Sequence, residues 1–374
     1  MSATLSDVVR ALDELYPPSL AESWDAVGLV CGDPGATVRR VLLAVDPVEA
    51  IAAEAVEGGF DLLVTHHPLY LGGTESVAAD DPKGRVAHGL IAGGCGLFTA
   101  HTNADRAHPG GVSDALAALF DLQDLTSLEP VLQPVDKLVF FVPVADAEKV
   151  TAAVTAAGAG QLGDYDGCTW STAGTGTFRP LEGSSPAIGS VGSLERVEEL
   201  RVETVVRRAL RAEVVRALLE AHPYETPAYD VLELVGLPSR RGLGRVGELP
   251  TPTPLGDLVA RAAQVLPATA GGVRAAGDPT AVVRRLAVMG GSGSDAMGLA
   301  AAAGAQAFLT SDLKHHSTLE RPEGLALLDA AHWATEHPWV SAAATALARV
   351  VDVDTSVSTT CTDPFTTASR SPDR

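Results

Sequence analysis

Thiols are sparse in this chain of 374 residues. The four cysteines, Cys31, Cys95, Cys168 and Cys361, lie far apart and form no CxxC pair. That spacing argues against a disulfide framework and against a thiolate zinc site. Long apolar runs are missing as well, none reaching the ~18 residues of a membrane span. Positive charge is in short supply: 27 Lys and Arg face 47 Asp and Glu, a formal net charge of −20. Such a chain repels phosphate backbones and anionic membranes, so nucleic acid is an unlikely partner on charge grounds. The one Arg-rich stretch, with Arg207, Arg208 and Arg211, has a helical pattern and reads as a solvated face. No Walker A loop is found. The opening segment, MSATLSDVVRALDELYPPSL, reads as an acidic amphipathic helix rather than a signal peptide, and the expected compartment is the cytoplasm.

What is present is apolar patterning on a large scale. Apolar residues make up 46% of the chain and charged residues 20%, which suits a soluble protein with a sizeable core. From residue 1 to about 130, helical and strand-like segments alternate, as expected of a largely parallel sheet covered by helices. Near residue 131 the order changes to βαββαβ, the split-βαβ pattern of a ferredoxin-like domain. The Pro-, Gly- and Arg-rich stretch PSRRGLGRVGELPTPTP reads as a linker, after which the α/β rhythm resumes. The expected organisation is one α/β unit (1–130 and 246–365) interrupted by an inserted ferredoxin-like domain (131–245), with a disordered tail at 366–374.

Several apolar strands end in residues that bind metals or carry protons. Asp46 follows LLAV, His66 and His67 follow LLVT, His101 and Asp105 follow LFTA, Asp312 follows AFLT, and His332 and Glu336 follow LLDA. Ligand sites of open α/β sheets form at the carboxyl ends of strands, so these groups can converge. His332 and Glu336 stand at i and i+4, which puts an imidazole and a carboxylate on one helix face. Asp105 is expected in a polar loop. Three imidazoles and two carboxylates, with no thiolate, suit Zn, Mn, Fe or Co. Five ligands exceed the usual set for one catalytic zinc. They match two ions ~3.5–4 Å apart that share carboxylates and keep open positions. Adjacent His66 and His67 would then serve different ions.

Seven motifs occur in order: WDAVGL, VTHHPL, HTNAD, GGSGSD, SDLKHH, AHWATE and TDPF. Together they resemble the NIF-three-like dinuclear-metal hexameric proteins, usually labelled GTP cyclohydrolase 1 type 2 homologs, over nearly the whole chain. The resemblance implies a two-lobed α/β subunit, a toroidal homo-hexamer and paired metal sites facing an internal cavity. The matching metal positions are His66, His67, Asp105, His332 and Glu336. His101 matches a further position and is read as a proton carrier or second-sphere group. Where the family carries Gly before the last ligand histidine, this chain has Ala331, which can shift the helix start. His315 replaces an aromatic and is expected on the surface.

The implied function is that of a dinuclear metal protein acting as a metal-dependent hydrolase on a small molecule, of the GTP cyclohydrolase or phosphoesterase type. The alternative is a non-catalytic metal carrier or regulatory scaffold. Two divalent ions per subunit (Zn, Fe or Mn) are expected. GGSGSD reads as a plain strand-to-helix turn, with an anion cradle as the other reading. HPYETPAYD, with His222, Tyr224, Glu225 and Tyr229, reads as a rigid turn, with a small-ligand surface as the other.

Overall fold

In a computed structural model that describes residues 3–369, the chain divides into two compact units. One comprises the chain up to Val131 together with the chain from Arg240 onward; the other is Leu132–Ser239. Of the expected 366–374 tail, residues 366–369 carry no helix or strand, and 370–374 lie outside the described residues. Among the described residues no helix is long and apolar enough to cross a membrane.

The larger unit holds two mixed sheets. The first runs in the spatial order Gly28–Cys31, Gly96–Thr99, Leu62–Thr65, Arg40–Ala44, Asp354–Val357. Its last four strands are parallel, and Gly28–Cys31 joins the edge antiparallel. The apolar runs LLVT and GLFT are buried at every position, as strands covered on both faces must be. The second sheet has a parallel core of Val282–Ser292, Ala307–Ser311 and Ala326–Ala330, flanked by antiparallel strands. The helix His332–Val350 packs against strands of both sheets, and its buried Trp339, Val340, Ala343 and Leu347 belong to the main core. This helix therefore carries its first turn to the place where the strand ends of both sheets meet. The N-terminal helix Leu5–Leu15 is fixed by a capping box: the Thr4 hydroxyl accepts from the Asp7 N–H, and the Asp7 carboxylate accepts from the Thr4 N–H.

Leu132–Ser239 forms one four-stranded antiparallel sheet, ordered Thr169–Phe178, Glu195–Arg207, Val135–Pro143, Tyr229–Glu233. With helices Ala147–Ala156 and Arg211–Ala221 the element order is βαββαβ, and the strands lie as in a ferredoxin-like sheet. Leu138, Phe140, Val142, Val202 and Val206 pack against Val150, Val154, Val214 and Leu218 of the two helices. One sheet face is thus covered by helices. The opposite face, with Phe141, Gly174, Glu199 and Arg201 in register, is not part of that core.

The segment read as a linker is instead the strand Leu237–Pro254. Its composition hides an inward-facing arginine. Arg245 is buried, donating to Asp114 and to the carbonyls of Ala107, Gly242 and Gly244. The prolines cluster where pairing with Val282–Ser292 shifts register between Glu248 and Thr253. The edge strand Gln123–Gln133 also escaped the pattern; it is mostly exposed and carries Pro130, which edges tolerate.

Candidate metal centre

The regular strand ends at Thr65, and the chain then bends. The Thr65 hydroxyl donates to the His67 carbonyl, and the His66 and His67 N–H groups still bond to the Ala44 and Val45 carbonyls at the end of the neighbouring strand. A flat strand would send two adjacent side chains to opposite faces. The bend keeps both rings together, with centroids 5.1 Å apart.

The five expected ligands come together, four of them around Glu336, with His101 beside His66 and His67. Its Oε1 lies 3.5 Å from His66 Nε2 and 2.9 Å from His332 Nε2, and its Oε2 lies 3.2 Å from His67 Nε2. Asp105 Oδ1 is 3.7 Å from His66 Nε2. Donor atoms of His66, His67 and His101 lie within 4.8 Å of one another, as do those of His67, His332 and Glu336. Asp105 sits on a short helix, Thr102–Arg106, rather than in the loop expected. Ala331 adopts φ −62° and ψ 139°, extended backbone open to any residue, so the missing glycine leaves the helix start unstrained. His315 is exposed, as expected.

Each imidazole is held from behind. His66 Nδ1 donates to the Ala100 carbonyl (2.9 Å), His67 Nδ1 to Asp46 (2.7 Å), His101 Nδ1 to Asp25 (2.8 Å) and His332 Nδ1 to Asp312 (2.6 Å). With an oxygen acceptor at every Nδ1, the proton belongs there, and the Nε2 lone pairs are left for the centre. Asp46 and Asp312 were visible as strand-end residues but had no assigned role. Asp25, inside WDAVGL, was missed: it acts on a histidine 76 positions away, and no local spacing signals that. Asp46 is itself held by the Thr362 hydroxyl from TDPF, and Asp25 by the Thr102 N–H and hydroxyl.

GGSGSD has a role that neither sequence reading assigned. Gly291 has φ +70°, and a Cβ there would lie 2.5 Å from Glu336 Oε1 and 3.2 Å from His332 Nε2. Glycine clears the space in which these two side chains meet. The Gly291 N–H also takes the Thr335 hydroxyl as acceptor, tying this turn to the helix that bears both groups.

The electrostatics show which charge the centre favours. Burial works against charge on Glu336, yet the His67, His66 and His332 imidazoles outweigh it and hold its carboxyl well below the usual range. Burial likewise opposes charge on His67 and His332, but Glu336, with Asp46 and Asp312 behind, lifts them to about 11 and about 9. Burial raises Asp105 to about 6; the His66 ring opposes that shift and Glu336 adds to it. His101 falls below its ordinary value, through burial and then the neighbouring His66. The cluster therefore favours positive charge at its middle. Three of its buried atoms, His66 Nε2, His332 Nε2 and Glu336 Oε2, have no hydrogen-bond partner of good geometry. Such orphans are rare in buried sites. Nitrogen and carboxylate donors with free lone pairs converging on one point fit a borderline or hard divalent ion.

Comparison with known proteins identifies the family. The profile of the family described as Duf34/NIF3 (NGG1p interacting factor 3) matches residues 3–364. A Mycobacterium tuberculosis protein named "GTP cyclohydrolase 1 type 2 homolog" is 52% identical over 371 residues, covering 98% of this chain and 97% of its own. The crystal structure of a Bacillus cereus protein related to NIF3 superposes with a TM-score of 0.77 at 34% identity, covering 98% of this chain and all of that one. A Staphylococcus aureus crystal structure gives 0.80 at 28% identity, covering 98% and 99%.

Proposed function

The chain belongs to the Duf34/NIF3 family, and on that premise we propose that it holds two divalent ions and acts as a metal-dependent hydrolase on a small molecule. His66 and Asp105 would hold one ion, His67 and His332 the other, and Glu336 would bridge them. The observation that carries this reading is the sharing of Glu336: Oε2 faces His67, while Oε1 faces His66 and, more closely, His332, whose donor atom converges with those of His67 and Glu336.

Ions held there would supply Lewis acidity and lower the pKa of bound water. The protein's own part is orientation and proton handling. Asp46, Asp25 and Asp312 fix the imidazole tautomers. His101 stands beside His66 and His67, with ring centroids 5.2 and 5.5 Å away, and burial together with His66 favours its neutral form. Neutral, with Nδ1–H on Asp25, it can accept a proton at Nε2 and return it to a leaving group. A groove of about 650 Å³ reaches His67 and His101 between Val48, Leu69 and Leu71, with Lys83 as a cation on its wall. Asp46 and Glu49 line the same groove, which supports a substrate with an apolar body. Assembly as a toroidal hexamer is part of the same proposal, checked by analytical ultracentrifugation.

The test has two steps. Metal analysis of gently purified protein should find about two ions per chain, lost in a His66→Ala/Glu336→Ala variant. Turnover should then be measured on GTP, other nucleotides, phosphodiesters and cyclic amidines with and without chelator. Chelator-sensitive turnover supports the hydrolase; full metal content with no turnover across the panel would favour the carrier or scaffold. A metal-free wild type overturns the site itself.

A further inference from the structure

The unit Leu132–Ser239 contains a pocket of its own. It has a volume of about 870 Å³, within the roughly 300–1,000 Å³ of small-molecule sites. Its floor is the helix-free face of the four-stranded sheet. Its wall is the loop 179–194, which is pinned to the HPYETP turn by the Ser185 N–H on Glu225 and closed on itself by the Gly192 N–H on the Pro180 carbonyl. Phe141, Phe178, Ile188 and Tyr224, all half-buried, give it flat and apolar sides. The Phe178 and Tyr224 rings stand 5.5 Å apart.

Glu199 lines this pocket and is buried, at 8% exposure. Its Oε1 accepts the Tyr224 hydroxyl at 2.9 Å. A single hydroxyl is a thin set of donors for a buried carboxylate, which can accept about four hydrogen bonds. The neighbouring strand is shaped around this group. A Cβ at Gly176 would collide with both Glu199 oxygens, while at Gly174, directly opposite Glu199, there is open space. The turn behind it is built to stay put. His222 Nε2–H donates to the Phe141 carbonyl, and its Nδ1 accepts the Tyr224 N–H, which sets the tyrosine on Glu199.

From this pocket we infer a binding site for a flat heterocycle that presents neighbouring N–H donors to Glu199, of the guanine type, with its ring against Phe178 and Tyr224. A carboxylate's two oxygens match two adjacent N–H groups, and aromatic walls favour a planar body over an aliphatic amine. Glu225 is engaged by the Ser185 N–H and Arg179 and Arg201 share the lining, so Glu199 with Tyr224 makes a poor ligand set for a metal ion. The rigid-turn reading of HPYETPAYD holds for His222, while Tyr224 and Glu225 also build the pocket wall.

Isothermal titration calorimetry on the full chain, stripped of metal, tests this with guanosine, inosine (which lacks the 2-amino donor) and adenosine. Saturable guanosine binding is expected, with inosine weaker and adenosine weaker by at least about tenfold. Glu199→Gln and Gly176→Ala should each weaken guanosine by a similar factor, with circular dichroism and thermal unfolding used to check the fold. Glu336→Ala should leave it unchanged. Absence of guanosine binding, equal binding of adenosine, or binding that survives Glu199→Gln but not Glu336→Ala would overturn the inference. The nucleoside comparison needs no variant, so it stands even if both substitutions disturb folding.

Discussion

Two buried glutamates, one in each unit, face opposite chemical demands. Glu336 is 3% exposed and meets the Nε2 atoms of three imidazoles, each fixed from behind by an acceptor. Glu199 is 8% exposed and meets one tyrosine hydroxyl. Each has a glycine that clears room for its carboxylate, Gly291 for one and Gly176 for the other. The residue is the same; the surrounding atoms decide the ligand. Lone pairs converging on Glu336 ask for a cation, whereas Glu199, lining a pocket and held by one tyrosine hydroxyl, suits N–H donors. A third buried carboxylate, Asp136, shows the satisfied case. It accepts from Arg208 and twice from Arg211, and it adjoins no described pocket.

The largest expected effect comes from removing the shared ligand. Glu336→Ala should abolish bound metal altogether, while Glu199→Gln leaves metal content at the wild-type level; equal losses in both would erase the contrast. Next come the residues behind the histidines. Asp46→Asn or Asp312→Asn should weaken metal affinity about 10–100-fold, read by competition with a chromogenic chelator. Gly291→Ala places a side chain at φ +70° against Glu336. It should cost about 1–3 kcal/mol, seen as a lower melting temperature together with weaker metal binding, whereas Gly176→Ala should spare the metal.

The smallest effect concerns Asp136. The Arg211 hydrogen bonds, with help from Arg208, hold its carboxyl below the ordinary aspartate value of 3.8 despite burial. A depressed carboxylate stabilises the fold above its unfolded pKa and loses that contribution as pH falls through the lower, folded value. In thermal melts, Asp136→Asn should therefore be less stable than wild type at neutral pH, and the gap should close as the pH is taken below about 3.8. A gap that persists unchanged into strong acid would mean that the charge is not what matters there.

The α/β alternation and the βαββαβ interruption were legible because hydrophobic runs of the right period dominate both. LLVT and GLFT are buried throughout and read as strands at once. The strand Leu237–Pro254 was not legible, because its glycines, prolines and arginines mimic a linker while Arg245 points inward to Asp114 and three carbonyls. The five candidate ligands could be named because strand ends and the HxxxE spacing mark them, and His101 was singled out by the family resemblance. Their supports could not: Asp25 reaches His101, and Gly291 makes room for Glu336, only after distant segments have folded together.

The account rests most heavily on Glu336 dividing its oxygens between His66 and His67. Anomalous diffraction from metal-loaded crystals, collected at the absorption edge of the bound element, tests that directly. It should show two peaks in each subunit about 3.5–4 Å apart, one coordinated by His66 and the other by His67, with Glu336 between them. A single peak coordinated by both imidazoles would contradict it.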